Sequence, residues 1–403
     1  MHLELPDIDM LQGKVKTLAQ EIYGDVQAWR RHLHAHPELS FQEYNTAAFI
    51  QASLQEQGIA FQPMAGTGVV ATITGELPSD QVIALRADID ALPITEANAV
   101  PYRSTNPGVM HACGHDAHTA SLLGTARILQ ALKSDFGGTV KCIFQPGEER
   151  MPGGASLMIR EGVLENPRPG AVLGQHVMPA LAAGKIAIRP GRFMASMDEL
   201  YVVVRGKGGH AAQPQENIDP VLMASTILVA LQQLVSRMAD PRMPTVLSFG
   251  KMEAKGATNI IPNEVYLEGT FRTLDEKWRD QAHQRMKQLA EGMAASMGGQ
   301  CEFRIVRGYP YLENEARLSA AVKQYAGAYL GPENVLEWDV WMAGEDFAYY
   351  SQQTDACLYL LGTGNPARGI TSSLHTPTFE VEEKALALST GLMAYLALKQ
   401  LGY

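Results

Sequence analysis

The chain has 403 residues, 46% of them hydrophobic and 19% charged, with a formal net charge of −10. This is an ordinary globular composition, long enough for two domains, and the negative balance argues against nucleic acid as the partner. No apolar run of about eighteen residues stands out as a membrane span, and the start Met-His-Leu-Glu-Leu-Pro-Asp lacks the basic and apolar regions of a signal peptide. The four cysteines, at 113, 142, 301 and 357, are too scattered for a disulfide framework, so a reducing, cytoplasmic setting is the default.

Taken in order, the pattern predicts a helix over 9–36 that closes before Pro37. Its last part carries Arg30, Arg31, His32, His34 and His36, and basic groups there complement the helix dipole. Ser40-Phe-Gln-Glu43 has the spacing of a capping box and is expected to open a second helix to about residue 57. Strands at 68–74 and 81–86, a helix at 117–133, a strand at 139–145, a helix near 154–162 and a strand at 171–176 follow. Such alternation predicts a mainly parallel sheet covered by helices on both faces.

After residue 183 the pattern changes. Strands at 184–190 and 199–206, a long amphipathic helix at 219–238, strands at 245–253 and 264–273, a helix at 275–297 and a strand at 301–307 form an α+β unit with an antiparallel sheet. A strand at 357–361 and a helix at 382–399 end the chain. The fold class expected is therefore α/β. A larger domain of residues 1–190 and 306–403 is interrupted by a smaller inserted domain of residues 191–305.

Chemistry concentrates in Met110-His-Ala-Cys-Gly-His-Asp-Ala-His118, with three histidines and a cysteine in eight residues. Cys113 and His115 flank one glycine, and a thiolate beside an imidazole suits zinc or a similar transition metal. Phe144-Gln-Pro-Gly-Glu148-Glu149 follows a strand, where α/β sheets bind ligands; of two neighbouring carboxylates one can bind metal while the other moves protons. His176 ends another strand, and His375 lies in a loop after Gly362-Thr-Gly364. Each alone is as well read as a satisfied polar residue. Asp88, in Arg86-Ala-Asp-Ile-Asp-Ala-Leu-Pro93, could orient a histidine ligand or simply end a strand. In the inserted domain His210 sits in a glycine-rich turn, and Asn259 and Arg272 flank a strand; Arg272 is shaped to grip a carboxylate, or to form a surface salt bridge. Tyr309, Tyr311, Trp338, Trp341 and Met342 could line a pocket but are more readily core.

These motifs, with Arg30-Arg-His-Leu-His34, Gly209-His-Ala-Ala-Gln-Pro, Asn259-Ile-Ile-Pro, Gly344-Glu-Asp-Phe and His375-Thr-Pro, resemble over nearly the whole chain the dinuclear metallo-amidohydrolases and peptidases of the aminoacylase/carboxypeptidase type. The branch most similar holds hippurate hydrolase and the indole-acetyl-amino-acid hydrolases. The resemblance implies Cys113, His115, Glu149, His176 and His375 as ligands of two divalent metals, zinc or manganese with cobalt or nickel as alternatives. It implies Glu148 as general base, His210 of a partner subunit as the oxyanion donor, and Asn259 and Arg272 as substrate-binding groups. His111 and His118 then become supporting residues rather than ligands. Sister branches carry a metal-binding histidine where Arg86 stands, a role arginine cannot fill because it keeps its proton.

The expected activity is metal-dependent hydrolysis of the amide bond of N-acyl amino acids. A dipeptidase or carboxypeptidase of the same kind is the alternative. The expected partners are a small-molecule substrate and a second copy of the chain, as a homodimer or higher homo-oligomer, with neither nucleic acid nor membrane. A thiol hydrolase using Cys113 and His115 would leave Glu148 and Glu149 idle, and a non-catalytic binding protein would need a missing ligand or base, which is not found.

Overall fold

A computed structural model describes residues 8–403; the N-terminal heptapeptide, expected not to be a signal peptide, lies outside them. By contacts the chain divides into two units. The first comprises residues up to Gly191, Glu313–Asp339 and Asp346–Tyr403; the second comprises Arg192–Leu312 and Val340–Glu345.

In the first unit the helix expected over 9–36 is two, α1 (Ile8–Glu21) and α2 (Tyr23–Ala35). Bonds from Ile22 to Leu18 and from Val26 to Ile22 carry the chain across a one-residue irregularity. Next come α3 (Tyr44–Glu56), β1 (Ala60–Met64), β2 (Gly68–Thr74), β3 (Leu77–Asp88), α4 (His115–Ala131), β4 (Gly137–Gln145), α5 (Gly154–Arg160), β5 (Ala171–Ala182) and β6 (Ile186–Ile188). The strands join Val335–Glu337 and Asp355–Gly364 in one eight-stranded sheet. Its order is β1, β2, β4, β3, β5, Asp355–Gly364, β6, Val335–Glu337.

The centre of this sheet is parallel: β4 with β3, β3 with β5, and β5 with Asp355–Gly364. The buried runs at the ends of β3 and through β4 follow from a sheet covered on both faces. Helix α4 is buried on nearly every side, because it lies beneath other helices as well as against the sheet. That explains its weak amphipathic pattern in the sequence. Strand β1 went unforeseen; its pairing with β2 is a short edge hairpin with an exposed outer side.

The capping-box expectation for α3 is overturned. Neither Ser40 nor Glu43 caps the helix. The carboxylate of Glu38 does so instead, accepting from the amides of Asn45 and Thr46 at 3.2 and 2.8 Å. Ser40 donates to Asp90 at 2.6 Å, while Glu43 accepts from Thr67 and from the Gly147 amide at 2.8 Å. The pair is thus drawn to the loops beyond β3 and β4.

The second unit has a four-stranded antiparallel sheet in the order Thr245–Ala254, Glu264–Thr273, Asp198–Arg205, Gln300–Arg307. Helices α6 (Pro220–Leu231) and α7 (Glu276–Ser296) pack on it over their own apolar cluster. Asp219 and Asp275 cap them by accepting from the amides of the first turn. The amphipathic reading of the 219–238 helix is only half right. Its inner face holds Met223, Ile227 and Leu231, but Leu222 and Val229 on the outer face are 57% and 71% exposed. Pro220–Met238 is also long and apolar enough to cross a membrane on length and composition alone, where the sequence pattern predicted an amphipathic helix and no apolar run of spanning length.

Candidate metal centre

The sheet register brings the first groups together. Asp88 of β3 lies opposite Gln145 of β4, and Arg86 opposite Gly174 of β5. His176, two residues beyond Gly174, is therefore level with Asp88, and Glu148 and Glu149 follow directly on β4. The turn to Glu148 passes through Gly147, at φ +58°, where a Cβ would lie 2.3 Å from the Phe41 ring. The turn into α4 passes through Gly114, at φ +82°, where a Cβ would lie 2.4 Å from Val177. Only glycine meets both conditions without strain, and this places Cys113 and His115 on either side of the start of α4.

Five of the expected residues converge. The Cys113 sulfur is 3.5 Å from His176 Nε2 and 3.3 Å from His375 Nε2. His375 Nε2 is 3.3 Å from Glu149 Oε1, which is 4.0 Å from His115 Nε2. These atoms form two triads, Cys113–His115–His176 and Cys113–Glu149–His375, each with its donor atoms within 4.8 Å of one another. Cys113 belongs to both. Glu148, buried, forms a third group with His115 and Glu149 on the same criterion, and its Oε1 accepts from the Asp346 amide at 3.4 Å.

The surroundings suit a cation. His115 Nε2 and Glu149 Oε1 are buried without a hydrogen-bond partner, an arrangement that costs free energy unless something else engages them. Burial pushes the His115 pKa down, but Asp88, Asp90 and Glu149 outweigh it and raise it to about 10. Burial, with Glu149 and Glu148, drives the Cys113 thiol well above its usual range. The His115 shift expresses the negative charge around it, and the Cys113 shift expresses burial first with that charge added; a divalent ion offsets the charge and binds the thiolate. His176 is already neutral: burial and the neighbouring His118 lower it to about 3. Its Nδ1 donates to the Val177 carbonyl at 2.8 Å, leaving Nε2 toward Cys113. The donor set of thiolate, imidazoles and carboxylate fits zinc or a related transition metal.

The supporting residues sort differently from expectation. Asp88 does not hold a ligand through a direct hydrogen bond. Its Oδ1 accepts from His118 Nδ1 at 2.6 Å and its Oδ2 from Arg86 at 2.6 Å. His118 Nε2 in turn accepts from the Val177 amide at 2.9 Å, so its lone pair is taken. Asp88 and His118 are therefore a hydrogen-bonded pair beside His115 Nε2, which lies 3.6 Å from Asp88 Oδ2, and His118 has no free nitrogen to offer an ion. The residue that meets His115 Nδ1 is Asp90, through its carbonyl at 3.0 Å and its carboxylate at 3.2 Å. Arg86, fully buried, also reaches Gln145 at 2.9 Å and Asp346 at 2.8 Å. His111 is buried with neither ring nitrogen hydrogen-bonded, and burial lowers its pKa to about 4.

Sequence reasoning also missed a buried charge cluster. Arg30 and His34 are fully buried rather than serving a helix end in solvent. His34 Nδ1 meets Asp116 at 2.7 Å and its Nε2 meets Glu96 at 3.1 Å. The fourfold spacing of Arg30 and His34 on one face of α2, beside buried Val26 and Leu33, was the signal available.

In the second unit His210 is exposed, and its Nδ1 accepts from the Ala212 amide at 3.1 Å, which leaves the proton on Nε2. Asn259 is exposed and its carbonyl accepts from the Ala211 amide at 3.1 Å. Arg272 forms no ion pair among the described residues. It is half-buried and donates to the Met342 carbonyl at 3.3 Å, with its pKa lowered by burial. Tyr309 is buried, and Tyr311, Trp338, Trp341 and Met342 are half-buried.

Residues 84–399 match the model of the peptidase family M20/M25/M40. The chain is 44% identical over 301 residues, 74% of its length and 80% of the relative's, to an N-acyl-L-amino acid amidohydrolase of Geobacillus stearothermophilus. It is 38% identical over 404 residues, 98% of its length and 90% of the relative's, to the IAA-amino acid hydrolase ILR1-like 4 of Arabidopsis thaliana. Among solved structures it resembles a dinuclear metal-binding peptidase of the M20 family from Bacillus subtilis, with a TM-score of 0.82 at 36% identity, covering 95% of this chain and 99% of that one.

Proposed function

The chain belongs to the peptidase family M20/M25/M40 and is a metal-dependent amide hydrolase, and on that premise we propose that it cleaves N-acyl amino acids with Glu148 as general base. The observation that carries this reading is the placement of the Glu148 carboxylate within 4.8 Å of the donor atoms of His115 and Glu149. A proton acceptor adjoins a ligand shell without being needed to complete either triad.

We assign two divalent ions to the two triads, with Cys113 shared between them; zinc and manganese are the first candidates, cobalt and nickel the next. A divalent ion bound there supplies Lewis acidity, polarising the substrate carbonyl and acidifying water. The protein's own groups do the rest. Glu148 takes a proton from the attacking water as its oxygen bonds to the carbonyl carbon, and returns a proton to the nitrogen as the C–N bond breaks. A carboxylic acid and a free amino acid leave. Asp90 and the Val177 carbonyl keep His115 and His176 in the tautomers that turn Nε2 inward. We assign oxyanion donation to Nε2–H of His210 from a partner subunit, and substrate carboxylate binding to Arg272 with Asn259.

The partner is a second copy of the chain. The apolar outer face of α6, with Leu222 and Val229, supports this, as does Thr245–Ala254 at the edge of its sheet. A reducing, cytoplasmic setting suits a cysteine that must stay a ligand, and the cysteines among the described residues are free. The thiol-hydrolase reading is disfavoured by the raised pKa of Cys113, since the thiolate is the nucleophile.

A panel of N-acyl amino acids and dipeptides, assayed after chelation and with manganese, zinc, cobalt or nickel restored, tests the reading. Activity should vanish with chelator and return with metal. Glu148→Gln should lower kcat by about 10²–10⁴ while metal content holds. Full turnover in metal-free protein would refute the metal assignment; full turnover by Glu148→Gln would refute the base. Dipeptides turned over faster than every acyl amino acid would favour a dipeptidase.

A further inference from the structure

We infer that Arg30 is a positioning residue for the metal centre, holding the segment that carries His375 against the start of the helix that carries His115. The inference rests on the metal assignment above, and goes beyond it by naming what keeps two distant parts of the chain in register.

The guanidinium of Arg30 uses three edges. Nε donates to Asp116 Oδ2 at 2.8 Å, Nη2 pairs with Glu380 Oε1 at 2.9 Å, and Nη1 reaches Glu383 Oε1 at 3.4 Å. Asp116 directly follows His115 in α4. Glu380 stands five residues beyond His375, in the same loop. Arg30 and Asp116 are fully buried, while Glu380 and Glu383 are 15% and 11% exposed in their side chains. No other cation spans these two carboxylate-bearing segments among the described residues; Arg31 pairs only with Glu383.

A second observation concerns the backbone that carries His375. His375 lies at φ +60°, a left-handed conformation uncommon for a residue that carries a Cβ, though one histidine adopts more readily than most. Backbone bonds impose part of it: the His375 amide to the Ala112 carbonyl at 2.8 Å, and the Ala97 amide to the Pro377 carbonyl at 2.8 Å. These bonds fix the path of the loop. Arg30 adds the charged tie that sets its depth relative to α4. His375 itself is half-exposed, at 52% in its side chain, so its position depends on the backbone beneath it more than on packing around the ring.

Arginine suits this task and lysine does not. A planar fork meets carboxylates in different directions at once, whereas an ammonium is a single point charge. Arg30→Lys therefore keeps the buried carboxylates compensated but cannot span both segments. Cobalt(II) is the probe, because its absorption through a thiolate ligand reports the Cys113 environment without any assay of activity. In Arg30→Lys the metal-free protein should remain folded, and its cobalt affinity should fall by about tenfold to a hundredfold, as when other outer partners of metal ligands are lost. Glu380→Gln, which leaves the buried Arg30–Asp116 pair intact, should weaken cobalt in the same direction. The double variant should bind no more than about twofold worse than Arg30→Lys alone, since both changes cut one tie.

A fall in the melting temperature of metal-free Arg30→Lys with cobalt affinity within twofold of wild type would overturn the inference and leave Arg30 a packing residue. If Arg30→Lys does not fold, Glu380→Gln decides alone: unchanged cobalt affinity sinks the proposal. Wild-type protein that binds no cobalt would fail earlier, at the metal centre, and be recognised as that failure.

Discussion

At the scale of single residues, His115 and Cys113 change character with the metal. In the metal-free protein the His115 pKa stands near 10, above its ordinary value of 6.5. A raised basic group stabilises the fold fully below its unfolded pKa, and that contribution is lost as pH rises through the folded one. The Cys113 thiol, also raised, acts in the same direction, because the unfolded chain ionises it first. Metal-free protein should therefore melt at progressively lower temperature between pH 7 and pH 10, while metal-loaded protein should lose less, since metal uptake displaces those protons and tightens with pH. A metal-free melting temperature that is flat or rising over that window would contradict the charge reading. The sharing of Cys113 has its own consequence. Cys113→Ala should cost both metals, whereas His375→Ala should cost chiefly one; metal analysis after gel filtration reads the difference. Cys113 with His115, and Glu148 with Glu149, were legible in the sequence as close pairs of donors, whereas His176 and His375, each standing alone, were not. Which carboxylate meets which imidazole was not legible either. Asp88 and Asp90 are two residues apart, and only the packing of α4 on β3 gives His118 to one and His115 to the other.

At the scale of elements, local signals were read correctly where the helix or strand supplied its own partners. Strands β2 and Glu264–Thr273 fall where alternation placed them, and α6 and α7 start at aspartate caps. The failure was at α3. Ser40 and Glu43 have capping spacing, but their side chains are drawn to Asp90 and Gly147, and Glu38 caps from farther upstream. Glu38→Ala should therefore destabilise the protein by about 1 kcal/mol, the usual worth of a cap, leaving kcat intact; denaturant unfolding checks it. Ser40→Ala should do the reverse, changing stability little while weakening metal binding through Asp90. Gly114→Ala should abolish metal binding, because a Cβ at φ +82° would also strike Val177 at 2.4 Å. Retention of two metals in that variant would show that the turn into α4 can relax.

For the whole molecule, the proposed pairing with a second copy is tested at the outer face of α6. Val229→Glu places a charge on the outer face of α6, where the side chain is 71% exposed, so the monomer fold should tolerate it. Sedimentation should show dimer in the wild type and monomer in the variant. If the partner's His210 completes the site, kcat should fall with the dimer. An active, monomeric Val229→Glu protein would remove that role.

By itself the sequence determined the alternation of strands and helices, hence a parallel-centred sheet, and the donor chemistry of the Cys113–His115 motif and the Glu148–Glu149 pair; His176 and His375 joined them only through the family resemblance. Periodicity and donor type are local properties, carried by each segment wherever it lies. The tertiary structure alone decided that Cys113 serves both triads, that Asp90 orients His115, and that Arg30 is buried between two carboxylates from segments 264 residues apart in number, Asp116 and Glu380. Those choices depend on which segments meet across the sheet and at what depth, and a chain read in one dimension does not contain that distance.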